Sequence, residues 1–508
     1  MSSYSMDASS PMPNLVKPVP ARSLFGIGAL FGAALPLAIY LSIALLILGL
    51  DKFHYVLAGG KKFATFPNAS THLGISLSYL FLVLFHLIWL LGTPYSYRPD
   101  HFRDVLKRVA IFLLLALIAY PLGNDIYLYL HFGLMNLSHV DPFTTPAGEF
   151  VSGLTPFVDW KQTSTYGPIS QLLFSISAAA IPKGIPVESF TNVSPAALNP
   201  ILAVYIFKSI CAIAHIFNGY LIWNILPPLQ RGKITTAYLL CPLLLVEQVA
   251  SAHVDVFVNT CVLIMAACLV KQRYATAFLA VWGGFLAKTI PIIWMPLLGL
   301  FLVRQRRWKQ LAIALLSSLL IVAALSLTLL PNQSWRSLLN PGVVGQYQSS
   351  LPALLRASFE TLQIFVPDFL PLNDQKQVLL KVARYGLLVF VTFYVLTIFH
   401  MFRKPTYSAL NLMEAIGWVT LVLMLYSTSW LMPWYVSVLL AIAAVIPNAQ
   451  VFGLTTLMFM VSSSAMYWLQ GDAGLRSLVT LGLPTLALII GSKIFATQRV
   501  EGEPVKDK

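Results

Sequence analysis

The chain has 508 residues, of which 57% are hydrophobic and only 10% are Asp, Glu, Lys or Arg; an average soluble domain is about 25% charged. With a mean hydropathy of +0.76 there are too few charges to clothe soluble domains. This excludes soluble enzymes, nucleic-acid readers and disordered scaffolds and predicts an all-α, polytopic membrane protein. The net charge of +14 is then read as basic cytoplasmic loops, not as a nucleic-acid footprint.

A polar, Pro-rich tail (residues 1–23) precedes an apolar stretch at 24–50. That stretch is too long for a signal-peptide core and long enough to span a bilayer. Further apolar segments follow at 73–93, 107–122, 199–226, 234–250, 255–270, 274–287, 290–303, 310–330, 383–402, 410–428, 434–447, 450–469 and 475–495. They predict about 12–14 spans, several shorter than the roughly 20 residues a full crossing needs. Residues 166–182 are apolar enough to tempt one more. If they crossed, the Arg231–Lys233 loop and the Arg304, Arg306, Arg307, Lys309 cluster would both face out. The positive-inside bias therefore predicts a helix lying in the interface, with both termini cytoplasmic.

This topology divides the chain into a membrane module at 24–330, an external segment at 331–382, a C-terminal membrane module at 383–495 and a cytoplasmic tail at 496–508. The first module contains a long external loop at 123–198. That loop holds Asp125, Asp141, Glu149, Asp159 and Glu188 against Lys161 and Lys183, so it is acidic on a basic protein. Long loops in compact proteins are usually functional, which places any chemistry outside.

Asp125 follows the third apolar segment directly. A carboxylate at the outer mouth of a span, under a covering loop, suits a general base; the plainer alternative is a helix cap. Asp141-Pro142-Phe143, Trp160 and Tyr166-Gly167-Pro168-Ile169 come next, with Pro168 suited to a first helical position. Trp160 and Tyr166 fit either interfacial anchoring or a sugar site. His253-Val254-Asp255 forms a predicted outer turn, with Glu247 two turns earlier; it reads equally as a polar turn or a substrate contact. In the 274–303 stretch, about 30 residues between cytoplasmic charges are too few for two full crossings. Pro291 breaks the helix and leaves Lys288 as an intramembrane charge at the bend, where irregular backbone must line a cavity or be buried in protein. Arg336 and Arg356 are external cations that fit either holding a phosphate or simple solvation. Trp430, Trp434 and Tyr435 fall where an aromatic belt is expected. Cys211, Cys241, Cys261 and Cys268 lie in apolar runs and read as core residues. The Asn-x-Ser sequons at Asn68, Asn136, Asn192 and Asn332 read as chance occurrences.

The order of these motifs resembles the first external loop of GT-C integral-membrane glycosyltransferases, in particular the polyprenol-phosphate-mannose-dependent alpha-1,6-mannosyltransferases. The carrying residues are Asp125, Tyr129, Gly133, Asp141-Pro142-Phe143, Trp160, Thr163 and Tyr166-Gly167-Pro168-Ile169. His253-Val254-Asp255 and Ala287-Lys288-Thr289-Ile290-Pro291 follow later. The likeness covers about residues 107–310. Phe143 stands where the family has Tyr, and Val254 where it has Asn.

The resemblance implies a bacterial plasma-membrane enzyme with an external active site. It would move a sugar, mannose first among candidates, from a polyprenyl-phosphate donor to a glycolipid or glycan acceptor, with inversion. Asp125 would be the catalytic base. Lys288, Arg336 and Arg356 would hold the donor phosphate, and Tyr129, Asp141, Trp160, Tyr166, His253 and Asp255 would contact substrate. No cofactor or metal is required by the sequence, and no nucleic acid is expected. Two rivals remain: a transporter or flippase of lipid-linked sugars, and a polysaccharide polymerase or ligase. A transporter would show internal repeats with matched midplane charges, and none is evident. A polymerase would place its principal loop late in the chain.

Overall fold

A computed structural model describes residues 27–60, 69–93, 97, 99–181, 200–330, 332–339, 346–366, 369–464, 467, 469 and 471–501. The acidic and basic loop residues Glu188 and Lys183, and the sequons at Asn68 and Asn192, lie outside them. The described chain is helical throughout. Among the described residues the only extended pairings are two isolated bridges, Tyr166 with Lys288 and Gln348 with Trp430.

Among the described residues, seven helices are long and apolar enough to cross a membrane. They are α1 (Ile27–Leu57), α2 (Ala69–Gly92), α6 (Pro200–Ile225), α12 (Trp308–Thr328), α15 (Leu372–Arg403), α16 (Ala409–Val422, extended by wider turns to Ser427) and α19 (Ala473–Glu501). Two further pieces, α7 (Pro228–Leu239) and α8 (Pro242–Leu244, extended to Ala250), are together as long and apolar but are bent by 45°. Pro242 explains the break, since it lacks the amide that would continue the helix.

The remaining expected spans are helices, but short ones. They are α3 (Phe102–Ile118), α9 (Asp255–Val270), α10 (Tyr274–Ala287), α11 (Trp294–Arg304), α17 (Val436–Val445) and α18 (Gln450–Ser464). At 1.5 Å per residue, 14 residues reach roughly 21 Å, well short of the roughly 30 Å hydrocarbon core. The expected 12–14 crossings therefore resolve into seven or eight full-length helices and a set of shorter ones. Mean hydropathy marks a buried helix as readily as a lipid-facing one, and α9 and α17 are largely buried: Val258, Val262, Leu263, Met265 and Leu269 of α9 are all at or near zero exposure. Their apolar character serves helix packing.

The segment at 166–182 is too short to span. Its helix, α5 (Pro168–Ala178), is 11 residues long, roughly half the required reach. It packs on α4 (Asp125–Leu137), in which every residue from Ile126 to Met135 is buried. Gly133 is required at this crossing, because a Cβ there would lie 2.4 Å from the Phe174 carbonyl oxygen. The first loop is thus folded around Tyr127, Tyr129, Phe132, Phe157 and Phe174, in an apolar core shared with α1 and α6 through Phe53 and Phe207.

The segment that begins after α12 contains α13 (Asn332–Leu339) and α14 (Leu351–Phe365), and α15 begins at Leu372. Ser334 and Ser337 of α13 reach the first loop: Ser337 Oγ lies 2.6 Å from Thr163 Oγ1 and donates to the Ser164 carbonyl at 2.7 Å. All four cysteines are free, with Cys211 and Cys241 buried.

Candidate active site

Two lysines, Lys208 buried and Lys52 half-buried, fix the approach to Asp125. The last carbonyls of a helix lack intrahelical partners. At the end of α3 those of Leu117 and Ala119 accept from Lys208 of α6, the former at 2.7 Å. Lys52 of α1 donates to the Leu122 carbonyl at 2.8 Å. The chain then turns into α4, and Asp125 is its first residue, where the helix dipole favours a carboxylate. The Asp125 side chain is 38% exposed, the most open of the carboxylates gathered here.

The turn carrying His253 is built differently. After α8 the backbone widens into i→i+5 turns over Leu245–Ala250, a feature that often marks functional sites. Ala252 then adopts φ 58, a left-handed conformation that costs a residue with a Cβ roughly 1–2 kcal/mol. The result aims His253 back across the turn. Its Nδ1 donates to the Glu247 carbonyl at 3.0 Å and lies 3.2 Å from Glu247 Oε2, and its Nε2 lies 3.3 Å from Asp125 Oδ2. Carbonyls and carboxylates only accept hydrogen bonds, so both ring nitrogens carry protons and the ring is an imidazolium. Burial alone would lower the pKa of His253, but the Asp125 and Glu247 carboxylates outweigh it and raise it to about 9. Trp434 stacks on the ring at 3.7 Å, a cation–π contact. Glu247 is fully buried and accepts from the Tyr467 hydroxyl.

A second ion pair lies beside this one. Lys288 Nζ donates to both Asp255 oxygens, at 2.9 and 2.8 Å, and sits 4.5 Å from the centre of the Tyr435 ring. Lys288 ends α10 in an extended conformation, at the break that Pro291 predicts. There it bridges to Tyr166. Gly167 donates to the Ala287 carbonyl at 3.3 Å, and Ser170 Oγ donates to it at 2.9 Å. A Cβ at Gly167 would fall 2.2 Å from the Leu286 carbonyl oxygen, so glycine is needed where the loop meets α10. Tyr129, one turn after Asp125, stacks on Phe174 at 4.8 Å and meets Tyr166 edge-on at 5.1 Å.

Six of the sequence candidates thus come together: Asp125, Tyr129, Tyr166, His253, Asp255 and Lys288. Four lie elsewhere. Asp141 Oδ1 accepts from the Phe143 amide at 2.9 Å and Oδ2 from Thr144 Oγ1 at 3.1 Å, an Asx turn that shapes the loop. Trp160 donates its indole N–H to the Thr163 carbonyl at 3.1 Å. Arg336 is exposed on α13, and Arg356 pairs with Glu360 at 2.9 Å on an exposed helix face. Sequence reasoning assigned Trp434 and Tyr435 to an aromatic belt and passed over Tyr467. Glu247 was flagged only by its spacing from His253. The two departures from the family pattern are both buried: Phe143 packs with Leu330 and Leu338, and Val254 sits in the core of the loop unit. Asn136 donates to Gln171 Oε1 at 2.8 Å inside the α4–α5 contact, which engages the amide that glycosylation would need.

The all-α, multi-pass bundle thus carries a folded loop unit with a half-open carboxylate backed by an imidazolium. Residues 55–304, just under half of the chain, match the alpha-(1->6)-mannopyranosyltransferase family, N-terminal domain. The protein resembles this mannosyltransferase family and is a glycosyltransferase of the membrane. No curated protein matches the chain.

Proposed function

We propose that the protein transfers a sugar, mannose first among candidates, from a polyprenyl-phosphate carrier to an extracytoplasmic glycolipid or glycan acceptor, with Asp125 as general base. The observation that carries this reading is the asymmetry of Asp125. One oxygen is held by His253, while the side chain remains 38% exposed and free to meet an acceptor hydroxyl. Asp125 would take the hydroxyl proton as the acceptor oxygen bonds to the anomeric carbon. The bond from that carbon to the phosphate oxygen breaks, and the electron pair leaves with the polyprenyl phosphate. Direct displacement inverts the anomeric centre. The reaction as written invokes no cofactor.

The departing phosphate needs a cation as its charge develops. Lys288 is already neutralised by both Asp255 oxygens, and Arg356 by Glu360. Arg336 is therefore the favoured candidate, on α13, which Ser337 docks against Thr163 and Ser164 of the loop. Lys288 and Asp255 would instead hold the loop to the break in α10.

The test is an in vitro assay of the purified protein with a panel of polyprenyl-phosphate sugars and mannoside acceptors. Transfer from the mannosyl donor is expected, and Asp125→Asn should reduce it by about 10²–10⁴-fold, the usual contribution of a general base, with unchanged thermal stability. Full activity in Asp125→Asn would remove the base assignment. Transport of a lipid-linked sugar across vesicles without transfer would replace the enzyme reading with the flippase one.

A further inference from the structure

The base itself has a support that lies outside the acidic loop. Glu247 is at zero exposure, and a buried carboxylate is strongly unfavourable unless it is matched by charge and hydrogen bonds. Its partners are the His253 ring on one side and the Tyr467 hydroxyl on the other. Tyr79 of α2 packs edge-on against Tyr467 at 5.5 Å. His253 has no slack: Trp434 covers its face, the Glu247 carbonyl takes Nδ1–H with the Glu247 carboxylate 3.2 Å away, and Nε2–H is left pointing at Asp125.

We infer that Glu247, with Tyr467 behind it, is a positioning residue for the base: it keeps His253 doubly protonated, so that His253 holds one Asp125 oxygen and leaves the other to the acceptor. The inference rests on Asp125 being the base. It also means that the site is completed from the C-terminal part of the chain, because Trp434 and Tyr467 lie beyond the stretch that matches the family. Asp125, His253 and Glu247 together carry one net negative charge, which becomes zero when Asp125 accepts the acceptor proton. The other charged groups nearby, Lys288 and Asp255, cancel each other at 2.8 Å. Tyr129 and Tyr166 of the loop and Tyr435 beside α17 complete the titratable groups around Asp125.

Two readouts test this. In protein labelled with ¹⁵N-histidine, the His253 resonances can be identified among nine histidines by their loss in His253→Gln. They should titrate near pH 9 in the wild type, and at least one pH unit lower in Glu247→Gln, with a smaller shift in Tyr467→Phe. In the transfer assay, Glu247→Gln should lower kcat about 10- to 100-fold, the range found when the second partner of a functional histidine is removed. KM should be unchanged, and the alkaline limb of the pH–rate profile should move to lower pH. Glu247→Asp should recover part of the loss.

If the His253 titration and kcat both stay within twofold of wild type in Glu247→Gln while Asp125→Asn is dead, Glu247 is structural and the inference is wrong. If Asp125→Asn retains full activity, the base reading falls. A titration shift in Glu247→Gln would still establish that Glu247 sets the charge of the ring. Tyr467→Phe removes only a hydroxyl, so it remains informative even if Glu247→Gln fails to fold.

Discussion

Two carboxylate–cation pairs sit side by side in this protein and differ in one respect. Asp255 is fully buried and both its oxygens are taken by Lys288. Asp125 is 38% exposed, and only one of its oxygens is engaged by His253. The closed pair has no valence left for substrate; the open pair does. Local sequence cannot separate them, since each is an acidic residue at the start of a helix near a membrane edge. Accessibility and hydrogen-bond saturation give them different work.

The largest expected effect tests the closed pair. Lys288→Met leaves a buried carboxylate unmatched and should lower stability by about 3–5 kcal/mol, read as a fall in Tm in detergent. The double variant Lys288→Met with Asp255→Leu should recover most of the loss. Failure to recover would mean that Lys288 has a further partner, and the contrast between the pairs would narrow.

Next in size is Gly167→Ala. Its Cβ would meet the Leu286 carbonyl oxygen at 2.2 Å, which should cost about 1–3 kcal/mol, as overpacking does, and separate the loop from α10. Activity lost in step with Tm would show that this junction holds the open pair in place. A harmless substitution would detach the two pairs from one another.

A smaller effect concerns the loop unit. His131 of α4 is pushed down to about 4 by burial, against a hydrogen bond to the Ala147 carbonyl. A depressed value means that the neutral ring belongs to the folded state. Its contribution to stability is full above pH 6.5 and is lost as pH falls toward 4. The Tm difference between wild type and His131→Asn should therefore shrink from pH 7 to pH 5. A constant difference would show that the ring is not held neutral.

The smallest effect is expected of Arg356→Ala. The ion pair with Glu360 is solvent-exposed, so removing it should change Tm and kcat hardly at all. A large loss of donor affinity would return Arg356 to the phosphate site.

Much of the architecture was legible because hydropathy reports burial directly. The apolar segments do correspond to helices, and the break at Lys288–Pro291 followed from one proline. Hydropathy did not separate full-length helices from shorter ones, because α9 and α17 are as apolar as the long helices. In the site, the loop residues were found because they are close in sequence and follow a recognisable order. Glu247, Trp434 and Tyr467 were not assigned to it, because their roles depend on contacts across the fold. His253 reaches Asp125 over 128 positions, and Tyr467 reaches Glu247 over 220. No local pattern encodes such a separation. The sole local hint was Glu247, six residues before His253.

The stacking of Trp434 on His253 bears on modularity. The matched stretch ends at residue 304, yet a ring that covers the central histidine comes from residue 434, and the hydroxyl behind Glu247 from residue 467. A fragment ending near 304 would carry Asp125 and His253 but leave one face of the imidazolium bare and the Glu247 carboxylate without its tyrosine. The family resemblance therefore marks where the sequence pattern stops, whereas the side chains packed around His253 come from both halves of the chain.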